Sequence, residues 1–420
     1  MLAAALLRET TTMISAPILP AILASTPEMV ALRRQIHANP ELGYQEFATS
    51  DLVAERLTRW GYAVARGLGG TGVVGSLQAG TGKRRLGLRA DMDALPMQET
   101  TGLPYASRNP GRMHACGHDG HTATLLAAAQ VLAASRAFDG TVNLIFQPAE
   151  EGLQGGRKMV DEGLFERFPC DAIYAYHNEP GFPAGQFGFL AGVIYSSSDT
   201  VVITIHGKGG HGAMPHTTVD PIVVAAHLVL AFQTLVAREI DPNDMAVVTV
   251  GAIHAGQAPN VIPASAELRL SVRARKPEVR EFLRRRITEM AQAQAAVLGA
   301  TADVDYQWKS PPCINDAGAT AFAQQVALRC MGAKALIPDM APLQASDDFA
   351  FMLNAVPGSY FIVGNGNGQP GDGPGCMVHN TGYDFNDEIL PTTASFLVTL
   401  AQTYLVPQDQ ETQQPGDRRA

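Results

Sequence analysis

Through the first half of the chain, short apolar runs alternate with helix-spaced segments. A helix is predicted around "TPEMVALRRQIHANPE"; "RRLGLRA", "TVNLIFQ" and "AIYAYH" read as buried strands; "TATLLAAAQVLAAS", between the first two of these, has helical spacing. This βαβ rhythm predicts an α/β fold, a mainly parallel sheet with helices on both faces. In such sheets reactive groups gather beyond the carboxyl ends of the strands, where loops open into a crevice. The strand ending at Arg89 runs into "RADMDALPM", that ending near Gln147 into "QPAEE", and that ending at Tyr176 into His177.

The pattern changes near Ser198. "DTVVITIHG" alternates as a strand, "DPIVVAAHLVLAFQTLVARE" is helical, "MAVVTVGAIHAG" and "ASAELRLSVRA" are strands, "PEVREFLRRRITEMAQAQAAVLG" is helical and "TADVDYQW" is a strand. That order is β-α-β-β-α-β, a self-contained ferredoxin-like α+β unit. A buried strand, "PGSYFIVGNG", and a closing helix, "TTASFLVTLAQTYL", follow it. The expected organisation is a catalytic domain in two parts, 14–197 and 309–405, interrupted by an inserted domain at 198–308.

A chain of 420 residues is too long for one core, which agrees with two domains. Net charge of −9 and the lack of a lysine/arginine run argue against nucleic acid and anionic membrane as partners and favour small solutes. The five cysteines, Cys116, Cys170, Cys313, Cys330 and Cys376, have no framework spacing and suit a reducing compartment, read as the cytoplasm. "MLAAALLRETTTM" lacks a basic flank and makes a poor signal peptide, so translation could start at Met1 or Met13. The longest apolar stretch, from Pro221, holds a histidine and a glutamine and reads as a buried helix rather than a membrane span. The tail from Pro407 is polar and reads as frayed.

"MHACGHDGHTA", residues 113–123, concentrates ligand chemistry in one loop. Cys116 and His118 stand two apart, so in an extended loop both side chains leave on one side and can close on one ion. A lone Cys-x-His more often caps the following helix; Asp91, the Glu150-Glu151 pair and His177 at other strand ends turn the balance toward metal. Adjacent glutamates after a strand point in different directions, so one can bind metal while the other carries a proton. The set favours divalent zinc, manganese, nickel or cobalt over magnesium or calcium, and a second ion per subunit becomes plausible because five ligands exceed what one open catalytic ion needs. If the fifth is a histidine it is His379, the only one after His254. In the inserted domain, His211 in "GKGGHGAMPH", Asn260 in "APNVIP" and Arg273 in "LSVRA" could supply an oxyanion donor and a carboxylate clamp.

In this order, "RADMDALPM", "HACGHDGHTA", "QPAEEG", "GKGGHGAMPH", "NVIP" and "ASDDFAFM" resemble the dinuclear metal amidohydrolases that include hippurate hydrolase, aminoacylase, the plant hydrolases of indole-acetyl amino acids and the glutamate-releasing carboxypeptidases. The Cys-Gly-His loop places the resemblance nearest the hippurate and indole-acetyl branch. It implies two metal ions held by Cys116, His118, Glu151, His177 and His379, with Glu150 as general base and Asp91 orienting the ligand loop. It also implies a homodimer, or a tetramer built from it, formed through the inserted domain. His211 would then reach the neighbour's site, and Asn260 and Arg273 would hold the substrate carboxylate. "SDDF" departs from the Ser-Glu-Asp-Phe of many relatives, so Asp347 is a shorter acid. The implied reaction splits an N-acyl amino acid into a carboxylic acid and a free amino acid. A dipeptidase or an N-acetyl-diaminopimelate-type deacetylase on the same scaffold is the alternative, and a non-catalytic binding protein the rival from another class.

Overall fold

A computed structural model describes residues 18–368 and 375–406; both candidate start sites, Met1 and Met13, and the tail from Pro407 lie outside them. The chain divides into two compact units. One holds the residues up to Gly192, Asn315–Ala341 and the chain from Phe351; the other is Val193–Ile314 with Pro342–Ala350.

The first unit is organised on a seven-stranded sheet in the order Ala63–Leu68, Gly72–Ala79, Gly140–Gln147, Arg85–Asp91, Ala172–Pro180, Gly358–Gly366, Phe187–Gly188. The four strands from Gly140–Gln147 to Gly358–Gly366 pair in parallel, while the strands Gly72–Ala79 and Phe187–Gly188 pair antiparallel to their neighbours. The antiparallel edge and the helix Phe47–Arg59 packed on it are not foreseen in the sequence pattern, because "AVARGL" and the glycine-rich turn after it carry no sustained apolar alternation.

Strand residues alternate between faces. Leu86, Leu88, Leu144, Phe146, Tyr174, Phe361 and Val363 share one apolar cluster with Met29 and Leu32 of the helix Pro20–His37, Leu125 and Leu132 of His118–Ser135, and Phe396 and Leu400 of Ile389–Tyr404. The intervening Ile145, Ile173, Tyr360 and Ile362 are fully buried outside that cluster. Strands covered on both faces read as continuous apolar runs, which is why the pattern was legible. Their common direction puts Asp91, Gln147 and the end of the strand Ala172–Pro180 at one edge of the sheet.

The second unit contains an antiparallel sheet in the order Ala246–Ala255, Ser265–Ala274, Ser198–His206, Thr301–Ser310, with the helices Pro221–Thr234 and Pro277–Val297 packed on it. That is the ferredoxin-like order. Asp220 caps the first helix by accepting from the Ile222 amide at 2.9 Å, and Pro221 begins it. The stretch Pro221–Glu239 is long and apolar enough to cross a membrane. Here it packs by one side, through Val224, Ala225, Leu228 and Phe232, and leaves Ile222, Val223 and Leu230 exposed, so it is half-buried rather than the wholly buried helix expected.

A buried ion network ties three segments of the first unit together. The Arg33 guanidinium, wholly enclosed, bonds Asp119 at 2.7 Å and Asp384 at 2.5 Å, and His37 meets the same Asp119 oxygen at 2.8 Å. Burial alone would lower the His37 pKa, but Asp119 and Glu99 outweigh it and raise it to about 9. Burial likewise works against the Asp119 carboxylate, yet Arg33 and His37 hold it below the usual carboxylate range. A histidine whose pKa is raised on folding contributes stability that is complete below its unfolded value near 6.5 and lost as pH rises through about 9. In thermal unfolding of the metal-stripped protein between pH 6 and pH 9.5, the part of the stability loss carried by His37 should be on the order of 2–3 kcal/mol, read as the difference from a variant without it. A His37→Gln variant should be less stable at pH 6 and flatter across that window. Parallel curves for the two proteins would remove His37 as the titrating group.

Candidate metal centre

The loop before the helix His118–Ser135 does not bring Cys116 and His118 together by running extended. Gly117 adopts φ +95°, the left-handed region, and a Cβ there would stand 2.1 Å from Asn178 Oδ1 and 2.7 Å from Tyr383 Oη. The backbone reverses at Gly117, and His118 already opens the helix. Cys116 Sγ lies 3.3 Å from His177 Nε2. His177 sits within the strand Ala172–Pro180, not beyond its end as the sequence suggested. Its Nδ1 lies 2.7 Å from the Asn178 carbonyl oxygen, which fixes the ring.

The acidic pair follows the strand Gly140–Gln147. Ala149 takes a left-handed φ of +53°, and the Gly152 amide donates to the Glu150 carbonyl at 2.6 Å, so the segment curls. Ligand atoms of Glu150, Glu151 and His118 lie within 4.8 Å of one another. The same closeness holds for Cys116, His118 and His177, and for Cys116, Glu151 and His379. His379 is held at φ +61°, with its amide donating to Ala115 O at 2.7 Å and its Nε2 3.3 Å from Glu151 Oε1.

Asp91 stands one layer behind. Its oxygens meet Arg89 Nη1 and His121 Nδ1, each at 2.6 Å, and lie 3.7 Å from His118 Nε2. Burial would push this carboxyl up, but Arg89, His118 and His121 hold it well below its ordinary range. Asp93 is the residue sequence reasoning missed. Its backbone oxygen is 2.9 Å from His118 Nδ1, its Oδ1 3.2 Å from the same nitrogen, and its Oδ2 accepts from the Glu151 amide at 3.0 Å. The signal was present in "RADMDALPM", since residues two apart share a side of an extended chain. His121, three positions after His118 on one helix face, has Nδ1 on Asp91 and Nε2 2.7 Å from Asn178 Oδ1. His114, the first histidine of the loop, is buried apart, and burial pushes it down to about 4.

The donor set fits a metal. His118 Nε2 is buried without a hydrogen-bond partner, beside Cys116 and Glu151. Burial, then Glu151, Glu150 and Asp91, raise the Cys116 thiol well above its ordinary pKa. Burial keeps His177 neutral, as a ligand must be. Burial disfavours charge on His118, but Asp91, Asp93 and Glu151 prevail and raise it to about 10. So dense an anionic cluster calls for cations, and thiolate with imidazole and carboxylate suits a borderline transition metal.

In the second unit, His211 lies on the short strand Gly210–His211, paired with Val261, and is exposed. The Asn260 carbonyl accepts from Gly212 at 2.8 Å, so His211 and Asn260 are neighbours. Arg273 lies apart from them on Ser265–Ala274, 3.3 Å from Ser346 Oγ, and Asp347 Oδ1 accepts from the Phe349 amide at 2.7 Å.

The model of peptidase family M20/M25/M40 matches residues 87–403. The chain is 42% identical over 388 residues to hippurate hydrolase of Campylobacter jejuni, covering 92% of this chain and 99% of the relative. It is 40% identical over 384 residues to IAA-amino acid hydrolase ILR1-like 5 of Arabidopsis thaliana, covering 90% and 87%. Among solved structures, a dinuclear metal-binding peptidase of the M20 family from Bacillus subtilis superposes with a TM-score of 0.79 at 30% identity, over 91% of this chain and 99% of that one.

Replacing Cys116 with serine should lower bound metal and activity together, because a hydroxyl is a far weaker ligand than a thiolate at neutral pH. Metal content by atomic emission, measured beside turnover, checks this; full occupancy with full turnover would remove Cys116 from the ligand set.

Proposed function

The chain belongs to peptidase family M20/M25/M40, and from that membership we propose that it is a metal-dependent amidohydrolase acting on N-acyl amino acids. Its products are a carboxylic acid and a free amino acid. The observation that carries the reading is the set of overlapping groups Cys116 with His118 and His177, Cys116 with Glu151 and His379, and His118 with Glu150 and Glu151, each with its ligand atoms within 4.8 Å of one another. Cys116, His118, Glu151, His177 and His379 are the ligands of two divalent ions, drawn from zinc, manganese, nickel or cobalt. Such ions supply Lewis acidity toward the amide carbonyl and make water acidic enough to react near neutral pH.

Glu150 takes the proton of the attacking water and returns it to the departing amine. Glu151 and His118 are both tied to Asp93, which keeps ligand and loop in register. Asp91 orients the ligand helix through His121 and its approach to His118 Nε2. His211 Nδ1 accepts from the Ala213 amide at 3.0 Å, so a neutral ring carries its proton on Nε2 and presents that N–H as the oxyanion donor. Asn260 and Arg273 hold the substrate carboxylate, and because they lie apart in one chain they reach it from different subunits.

The catalytic domain takes 14–197 and 309–405, and the insert 198–308 forms a homodimer, with a tetramer open to further pairing. The edge strand Ala246–Ala255 and the exposed Ile222, Val223, Leu230, Val247 and Ile253 support an interface there. The five free cysteines agree with a cytoplasmic setting.

The metal-loaded protein should release glycine from benzoyl-glycine faster than it cleaves a dipeptide with a free amino terminus; the reverse order would favour the dipeptidase reading. Glu150→Gln should keep metal while kcat falls about 10²-fold or more, whereas Glu151→Gln should lose metal. The opposite outcome would exchange their roles.

If His211 is supplied by the partner subunit, two nearly inactive variants, Glu150→Gln and His211→Ala, should complement each other when dissociated and reassembled together. Mixed dimers then hold one site with both lesions and one with neither, and random pairing returns roughly a quarter of the parent activity. A mixture shown to contain hybrid dimers but as inactive as its components would place His211 in its own chain's site.

A further inference from the structure

We propose that Glu46 is a positioning residue for Glu150. Through the Ala149 amide, it fixes the left-handed backbone that aims the Glu150 carboxylate, and so acts on the proton-transfer step rather than on metal binding. The inference rests on the reading of Glu150 as the general base.

Glu46 occupies the N-cap position of the helix Phe47–Arg59, yet its side chain does not cap that helix. Glu41 does so instead, its oxygens accepting from the Ala48 and Thr49 amides at 2.9 and 2.8 Å. The Glu46 carboxylate, fully buried, turns to the sheet edge. Oε1 accepts from the Ala149 amide at 2.8 Å and Oε2 from the Thr71 hydroxyl at 2.5 Å. A buried carboxylate is costly unless hydrogen-bonded, and here its partners lie in two segments remote in sequence.

Ala149 is a non-glycine residue at φ +53°, a conformation alanine adopts only when the surroundings impose it. The residues on either side of Glu150 have their amides held by different carboxylates, and the Ala149 carbonyl between them accepts from the Gly155 amide at 3.0 Å. Ala149 N is held by Glu46, and Glu151 N by Asp93, at 3.0 Å. The same loop supports the segment by contact: Tyr44 Oη donates to Leu153 O at 2.9 Å, and a Cβ on Gly43 would stand 2.6 Å from Leu153 Cδ1 and 3.1 Å from Ala149 Cα. Asp93 also holds His118, so losing it would disturb the ligands. Among the described residues no hydrogen bond joins Glu46 to a candidate ligand side chain, although its charge acts on that of Asp93, so its loss should act chiefly on Glu150.

The test uses the metal-loaded full chain with benzoyl-glycine, Glu46→Met (near-isosteric, no acceptor) and Glu46→Gln (acceptor retained). Glu46→Met should lower kcat about tenfold or more, with KM and metal content near the parent's, and should speed amide deuterium exchange in the peptide spanning 148–153. Glu46→Gln should stay within about threefold of the parent, because the Gln oxygen can still accept from Ala149 and its NH₂ can donate to Thr71. Adding Ala149→Gly to Glu46→Met should restore part of kcat, since glycine takes the left-handed backbone without the carboxylate. In a Glu150→Gln background, Glu46→Met should cause no further loss.

Parent-like kcat and exchange in Glu46→Met would overturn the proposal. So would loss of metal in step with kcat, or an equal fold-loss in the Glu150→Gln background, either of which marks a general structural role. If Glu46→Met does not fold, Thr71→Val decides: the same kcat-only loss and faster exchange support the proposal, and parent-like values overturn it. Should Glu150→Gln itself keep the parent's kcat, the general-base reading fails whatever Glu46 does.

Discussion

The structure depends on gathering negative charge and a thiol in one buried place and keeping each group aimed. Cys116, Glu151, Asp91 and Asp93 surround His118 with little access to water. Left alone, such a cluster would take up protons until its charge was spent, as the raised Cys116 thiol and His118 imidazole illustrate. The protein counters this with donors placed behind the ligands. Arg89 and His121 fix Asp91, and the Glu151 amide and His118 fix Asp93. What remains facing the centre are groups that gain most from a divalent cation, so the fold selects for metal through charge as well as geometry.

The architecture follows from this need. Asp91, the Glu150-Glu151 segment and His177 come to one edge because the strands that carry them run parallel. Helices separate those strands, so each group arrives on its own stretch of backbone. Gly117 lies at positive φ between Cys116 and His118, Ala149 precedes Glu150, and His379 itself takes that conformation. The Arg33–Asp119 pair acts from outside, tying the start of the ligand helix to Asp384, five residues after His379.

How much of this was legible in the sequence can be judged residue by residue. The parallel sheet and the βαββαβ insert were legible because doubly covered strands and one-sided helices leave strong periodic signals. Strand ends pointed to Asp91, the Glu150-Glu151 pair and His177, the spacing of Cys116 and His118 pointed to their loop, and the choice between the two glutamates came from the family resemblance. The local geometry was not legible: that Gly117 takes a left-handed φ and that His177 lies inside its strand depend on tertiary contacts. Asp93 carried a readable spacing signal beside Asp91. Glu46 carried none, since an acid before a helix reads as an N-cap, and only the structure shows Glu41 in that role.

Adjacent residues can do different chemistry only if they are supported separately, and Glu150 and Glu151 illustrate the requirement. A general base works when its proton affinity suits the reacting groups and its carboxylate is aimed at them. A ligand gains from a rigid, charge-rich surround. Glu151 has that surround, with His379 at 3.3 Å and its amide on the Asp93 that also holds His118. Glu150 is steadied through the backbone on either side, by Glu46 at Ala149 and by the Gly152 amide on its own carbonyl. In the reading proposed above, the backbone on both sides helps aim Glu150, while Glu151 sits beside His379 with its amide on Asp93.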